Sequence, residues 1–168
     1  MATQEQQLVV FELAGALYGV DIRSVREIIR HEPIRMVPNT SPAVSGVISL
    51  RGLVIPVVDL RRRLRLPMQH TDERTRIIVA EITGKMMGFT VDAVAEVLRL
   101  PTTAIEPAPP LSVTDGSNYV AGVAKRDERL MMLIDVERLL SAEALQYFTE
   151  EERLAGAEAG TPSLVEAA

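Results

Sequence analysis

The chain has 168 residues, 47% of them hydrophobic and 24% charged, with a net charge of −5; that is the balance of a globular protein long enough for one medium domain or two small units sharing a core. The negative balance argues against nucleic acid, which needs a clustered positive face, and the absence of cysteine excludes disulfides, thiol nucleophiles and Cys-ligated metals. Aromatic residues make up only 4% and tryptophan is absent, so an aliphatic core is expected.

The first residues, MATQEQQ, carry neither a basic nor an apolar stretch of the kind that begins a signal peptide. Residues 1–7 are expected to be flexible. No apolar run approaches the roughly 18 residues of a membrane helix, so the expectation is a cytoplasmic protein without direct membrane insertion. Residues 8–13 (LVVFEL) read as a buried strand, Ala14-Gly15 as a tight turn and Ala16–Val20 as its return. Ile22, Val25, Ile28 and Ile29 then fit a helical period, with Asp21 as N-cap. Pro33 and Pro38 end that segment, and Ile34–Val37 is a short extended piece between them.

A second hairpin runs from Gly46 to Val58 around the tip Arg51-Gly52, where glycine supplies a positive φ. Pro56 lacks an N–H, which places its strand at an edge or a bulge. Asp59 caps a helical turn over 60–64, and 67–75 is a polar linker. The same order then returns: a hairpin over 76–89 turning at Thr83-Gly84, a helix over 91–98, a Pro-rich loop over 102–117, a hairpin over 120–134 with Asp127-Glu128 at its tip, and a helix over 135–154. The tail 155–168, rich in Ala, Gly and Glu, is expected to be disordered. Short strands with close turns favour small β-barrels.

The recurrence extends to residues. Residues 9–29 (VVFELAGALYGVDIRSVREII) align without a gap to 78–98 (IVAEITGKMMGFTVDAVAEVL), with Val10/Val79, Glu12/Glu81, Gly15/Gly84, Gly19/Gly88, Val25/Val94 and Glu27/Glu96 identical. Residues 44–64 align to 120–140, with Gly46/Gly122, Val47/Val123, Asp59/Asp135, Arg62/Arg138 and Leu64/Leu140 identical. One module has been built twice. What both copies share points to fold, and what only one has points to function.

No catalytic constellation emerges. His31 and His70 lie in polar connections with no second ligand at metal spacing. Asp59 and Asp135 are explained as helix caps, Glu27 and Glu96 as polar-face residues of short helices, and the glycines as turn and strand residues. Neither GxGxxG, GxxxxGK[ST] nor GxSxG occurs. An enzyme is not expected. In Met86-Met87 and Met131-Met132, one methionine of each pair should face outward as a soft contact surface. Arg61, Arg62, Arg63 and Arg65 form the one dense basic run, read as a solvated helix end or a patch for an acidic partner. Arg51, between Leu50 and Leu53, reads either as an interface anchor or as a solvated turn residue.

SGVISLRGLVIPVVDLRRRL, together with LYGVDIRSVREII, GFTVDAVAEVL, IEPAPPL and NYVAGVAKRDERLMMLIDVERLL, closely resembles the CheW family of chemotaxis coupling proteins, over about residues 8–147. The resemblance implies a mainly β fold: two SH3-like five-stranded barrels packed around a shared aliphatic core, with short helices and a C-terminal helix. The first barrel is expected at 8–66 and the second at 76–140, within one domain over 8–154. The resemblance also implies no catalysis and no cofactor. The partners it implies are the cytoplasmic tips of chemoreceptors (methyl-accepting chemotaxis proteins) and the regulatory domain of the histidine kinase CheA. An alternative is the same coupler in a non-flagellar pathway, with pilus motility or another output.

Receptor contacts of the family carry over to Val25, Glu27, Gly46, Arg51 and Gly52. Kinase contacts fall near Gly88, Val94, Val97, Glu106, Leu111 and Gly122. Two positions depart from the family pattern: Ser49 replaces an asparagine before LeuArgGly, and Glu106 stands where some members have a basic residue. Two rival readings are a ligand-binding or catalytic barrel and a nucleic-acid binder using 61–65.

Overall fold

The computed structural model describes residues 4–38, 40–108, 119–144 and 147. The strands are β1 (Glu5–Leu13), β2 (Ala16–Asp21), β3 (Val25–Arg30), β4 (Val44–Leu50), β5 (Leu53–Asp59), β6 (Arg76–Ile82), β7 (Lys85–Val91), β8 (Ala93–Pro101), β9 (Val120–Arg126) and β10 (Arg129–Ile134). A single turn, α1 (Leu60–Arg63), follows β5, and residues 136–144 form a second helix, α2. Leu111, most of the Pro-rich loop, the far end of the expected C-terminal helix and the tail lie outside the described residues.

All four expected hairpin tips form as two-residue turns with both residues left-handed. Ala14 and Gly15 have φ of 51° and 79°, and Arg51 and Gly52 have 52° and 80°. Such turns match the right-handed twist of the strands they join. Asp21 and Asp59 cap the turns that follow them, each accepting backbone N–H groups, from Arg23 and from Arg61 and Arg62 respectively. Asp135 does the same for α2, accepting from the Arg138 N–H at 3.1 Å.

Two expected helices are strands. Only Ile22–Ser24 is helical, as one 3-10 turn, and Val25–Arg30 is β3; in the second copy, Ala93–Pro101 is β8. The apolar residues at 22, 25, 28 and 29 matched a helical spacing because two positions break the strand alternation. Glu27 lies on the sheltered side, where it is ion-paired, and Ile28 lies on the outer side, 37% exposed. Pro56 sits on β5, which is an interior strand rather than an edge. It precedes Val57, where pairing to β7 begins, so its missing N–H breaks no bond on that side. Of the methionines, Met87 and Met131 are buried, while Met86 and Met132 pack half-buried against the core. The outward methionine surface is therefore not formed.

The strands make two five-stranded sheets, ordered β8-β1-β2-β10-β9 and β3-β6-β7-β5-β4. We call them sheet A and sheet B. Replacing every strand of sheet A by its repeat counterpart gives sheet B in the same order. Each sheet takes one hairpin from one half of the chain and three strands from the other. The expected division into a barrel over 8–66 and a barrel over 76–140 is thus not the division between the sheets: β1 and β2 join β8, β9 and β10, while β6 and β7 join β3, β4 and β5. Gapless sequence similarity located the module correctly but carried no information about which copy each strand pairs with.

Strand pairing alone leaves both sheets open. In each, the segment after one outer strand meets the other outer strand in one bridge, Arg35 with Val47 of β4 in sheet B and Glu106 with Val123 of β9 in sheet A. Both bridges exchange two backbone hydrogen bonds of 2.8–2.9 Å. Gly46 and Gly122 lie beside these bridges. A Cβ on Gly46, whose φ is 151°, would lie 2.0 Å from the Arg35 carbonyl oxygen, and one on Gly122 would lie 2.9 Å from that of Glu106.

The main core lies between the sheets. It joins Val9, Phe11, Leu13 and Tyr18 of sheet A with Ile78, Ile82, Met87 and Phe89 of sheet B, and α2 adds Leu139 and Leu140. Phe11 stacks on Tyr18 and meets Phe89 edge-on. Three of the six aromatic residues thus meet at the centre of an otherwise aliphatic interior. Smaller clusters fill each sheet's other face: Leu8, Val10, Met131 and Leu133 in A, and Ile48, Ile55, Val57 and Ile77 in B.

One buried cation ties the junction. Arg61 of α1 grips Asp92, with Nε to Oδ1 at 2.9 Å and Nη2 to Oδ2 at 2.5 Å. Its remaining donors reach the Pro67 carbonyl and Gln69 Oε1. Asp92 also accepts the Ala14 N–H at 2.8 Å, from the β1–β2 turn. Burial alone would raise the Asp92 carboxyl. The bonds from Arg61 and Ala14, with the charges of Arg61 and Arg74, outweigh it and hold the carboxyl below the ordinary range.

Two predictions follow from this architecture. Chains comprising 1–70 and 71–168, each alone, should lack β-sheet circular dichroism, and mixing them should restore it. Because the folded Asp92 carboxyl is depressed, its stabilisation is complete above the unfolded carboxylate range and is lost as pH falls through the folded value. Asp92→Asn leaves the buried Arg61 guanidinium without its charge partner and, because Asp92 itself is partly solvated, should cost about 1–3 kcal/mol at neutral pH, measured by urea unfolding, and should flatten the acid limb of stability.

Candidate functional site

Sheet B carries the first group of candidate residues. Val25 and Glu27 lie on β3, Gly46 on β4, and Arg51 and Gly52 form the β4–β5 tip. β3 and β4 are the two outer strands of that sheet. Arg51 Nη2 reaches across to Glu27 Oε1 at 2.9 Å, so an ion pair spans the sheet's open side. The Arg51 side chain is 77% exposed, whereas Glu27 is largely sheltered. Arg51 is therefore neither a free anchor nor an idle turn residue: it presents a guanidinium that one carboxylate already orients. Leu53 and Val54, beside this tip, are exposed apolar residues. Val25 is half-buried against the main core. Gly46 is buried and serves the bridge to Arg35, so it shapes the surface without forming part of it.

The second group is split between the sheets. Val94, Val97, Glu106 and Gly122 belong to sheet A or its bridge, but Gly88 lies in β7 of sheet B. It is buried beside Val57, and a Cβ there would meet Ile77 Cγ2 at 2.9 Å. Gly88 and Gly122 thus act through packing. Val94 is half-buried, while Val97, 53% exposed, and Glu106 face outward. Glu106 joins Ala104, Val123, Lys125 and Leu130 around a shallow cavity of about 180 Å³. Lys125 and Leu130 were not singled out by the sequence. The signal that could have found Leu130 is its alignment with Val54, since both are apolar and exposed.

Glu96 and Glu27 are not helix-face residues. Glu96, on β8, pairs with Arg126 at the end of β9 at 3.1 Å, an ion pair like that of Glu27 with Arg51, although the repeat register sets Arg51 against Asp127. Glu27 and Glu96 are repeat partners, and so are Val25 and Val94, and Gly46 and Gly122. The two groups of candidate residues thus share two repeat pairs, Val25/Val94 and Gly46/Gly122, and the Glu27 position recurs on the second sheet as Glu96.

The basic run is mostly consumed internally. Arg61 is buried on Asp92, and Arg62 reaches Asp59 and the Pro42 carbonyl. Arg63 binds Glu143 at 2.9 Å and the Leu139 carbonyl, and its guanidinium lies over the Tyr119 ring. It joins α1 to α2. Arg62 and Arg65 stay exposed, so only part of the run is a solvated helix end. No helix among the described residues is long and apolar enough to cross a membrane.

Comparison with known proteins agrees with this architecture. A family model described as the CheW-like domain matches residues 7–144. The chemotaxis protein CheW of Klebsiella aerogenes is 36% identical over 143 residues, covering 85% of this chain and 86% of that protein. CheW of Bacillus subtilis is 33% identical, covering 84% and 90%, and the protein FrzA of Myxococcus xanthus is 30% identical, covering 83% and 88%. The crystal structure of the scaffolding protein TtCheW from Thermoanaerobacter tengcongensis superposes with a TM-score of 0.75 at 38% identity, over 82% of this chain and 93% of that one. With its two interlocked five-stranded sheets and its duplicated module, the chain belongs to the CheW family of chemotaxis scaffold proteins.

Proposed function

We propose that this protein is a non-enzymatic, cytoplasmic adaptor that couples chemoreceptor tips to the regulatory domain of the histidine kinase CheA. The observation that carries the reading is the pair of matching surfaces, one on each sheet, each built on a Glu–Arg pair beside exposed apolar side chains. Two partners held at a fixed separation need two surfaces on one rigid body. The buried core between the sheets supplies that rigidity.

The receptor face is assigned to sheet B, with Arg51 and Glu27 as its polar contacts and Val25 and Gly52 beside them. Gly46 maintains its shape. The kinase face is assigned to sheet A, with Val97 and Glu106 as contacts and Val94 and Gly122 acting through packing; Gly88 packs within sheet B, and Leu111, also expected as a kinase contact, lies outside the described residues. The negative charge of Glu106 suits a basic group on the kinase. A second reading keeps the same coupler in a pathway with pilus motility or another output. The likeness to FrzA, a relative not named CheW, favours it, and both readings use the same two faces.

Arg51→Glu should reduce co-sedimentation with receptor-containing membranes by about tenfold, because it places two carboxylates together and removes the presented guanidinium. Kinase capture should be unchanged. Val97→Asp should do the reverse, weakening kinase capture by about tenfold while sparing the receptor. Equal loss of both partners in either variant would contradict the assignment of faces.

A further inference from the structure

Two connections cross between the sheets, and they are repeat counterparts. Residues 21–25 lead from β2 to β3, and residues 91–93 lead from β7 to β8. The Arg61–Asp92 latch sits at the second crossing. It binds that crossing to three other segments: α1, the β1–β2 turn and the linker after α1.

The two repeat registers locate the matching place at the first crossing. Arg61 corresponds to Glu137, Asp92 to Arg23, Leu13 to Ile82 and Glu12 to Glu81. What stands there is a cavity of about 340 Å³, lined by Glu81, Ile82, Ser24, Asp21, Asp135 and Glu137 among others. Both latch positions have reversed charge, so Arg23 and Glu137 retain opposite signs, yet they form no ion pair. Arg23 instead turns back on Asp21 at 2.8 Å, two residues away within its own crossing, with its side chain 86% exposed. Asp21 has one further partner, the Gln6 amide at 3.1 Å, itself a lining residue of the cavity. One crossing is thus tied by a buried, four-acceptor guanidinium, and its counterpart by exposed pairs beside a cavity: Arg23 with Asp21, and Arg26, which bonds Glu81 and, at 3.5 Å, the Arg23 carbonyl.

We propose that this asymmetry makes the 21–25 crossing the adaptable end of the junction and the 91–93 crossing its fixed end. Local opening is set by how many buried contacts must break together. An exposed pair two residues apart restrains little, whereas a buried fork must lose all its acceptors at once. The adaptable crossing leads directly into Val25 and Glu27, so adjustment to a bound receptor is concentrated there. That last step rests on the receptor face proposed above; the asymmetry itself does not.

Hydrogen exchange of the full chain without partners tests it, because β3 and β8 are counterpart outer strands and their amides can be compared directly. Amides of 22–26 should exchange about tenfold faster than those of 91–95. Asp92→Asn should bring 91–95 to the rate of 22–26. The double variant Arg23→Asp with Glu137→Arg, which gives the cavity the charge order of the latch, should slow 22–26. Equal exchange at the two crossings of the unsubstituted chain overturns the proposal, as does an unchanged difference in Asp92→Asn. Should Asp92→Asn fail to fold, Arg61→Lys replaces it: it keeps the charge, loses the fork, and should narrow the difference. Receptor fragments that bind yet leave 22–26 unprotected would contradict the receptor face while the asymmetry stands.

Discussion

The structure depends on reciprocal strand exchange. Neither half of the chain holds a complete sheet: β1 and β2 need β8 and β10 on either side, and β6 and β7 need β3 and β5. A two-stranded hairpin is marginal in water by itself. Each copy therefore becomes stable only by lending its first hairpin to the other sheet. The main core follows from this, since the lent hairpins carry Phe11, Tyr18, Met87 and Phe89 to the junction. The two closing bridges, the two Glu–Arg pairs and the Arg61 latch then settle details within a frame that the exchange has already imposed.

Much of this was legible in the sequence. The gapless repeat fixed the module, and the turn residues fixed all four hairpin tips, because Gly or a tolerant polar residue at each tip permits the left-handed pair that a two-residue turn requires. The capping aspartates were legible for the same local reason. The partition of strands between sheets was not, since two similar copies offer equally good pairing partners within and between halves. The outer strands β3 and β8 were misread as helices where ion pairing sheltered Glu27 and an edge position exposed Ile28. The basic run misled in a similar way. Arg61 and Arg63 look solvated beside their neighbours in sequence, but their acceptors, Asp92 and Glu143, lie 31 and 80 residues away.

The repeat also changes how function is read. Comparing the copies suggests that unshared features, the Arg51-Gly52 tip in the first and the Pro-rich 102–117 loop in the second, carry recognition. In the fold, several residues of the first candidate face have counterparts on the second: Glu27 against Glu96, Val54 against Leu130 and Ile28 against Val97, while Glu96 takes its arginine from Arg126, one position before the place that matches Arg51. Differences of charge distinguish the two faces. The first tip presents one guanidinium between apolar neighbours. The second presents a mixed run, Lys125 to Arg129, beside the exposed Glu106. A duplicated scaffold can keep two partners apart by varying such side chains while sharing the glycines and bridges that shape both faces.

The central claim is that the two faces ride on one interlocked body. Differential scanning calorimetry of the full chain tests this most directly. One transition, with equal calorimetric and van't Hoff enthalpies, is the predicted result, because no sheet can melt without removing strands from the other. Two resolved transitions, or a calorimetric enthalpy well above the van't Hoff value, would mean that the sheets unfold independently and would contradict the account.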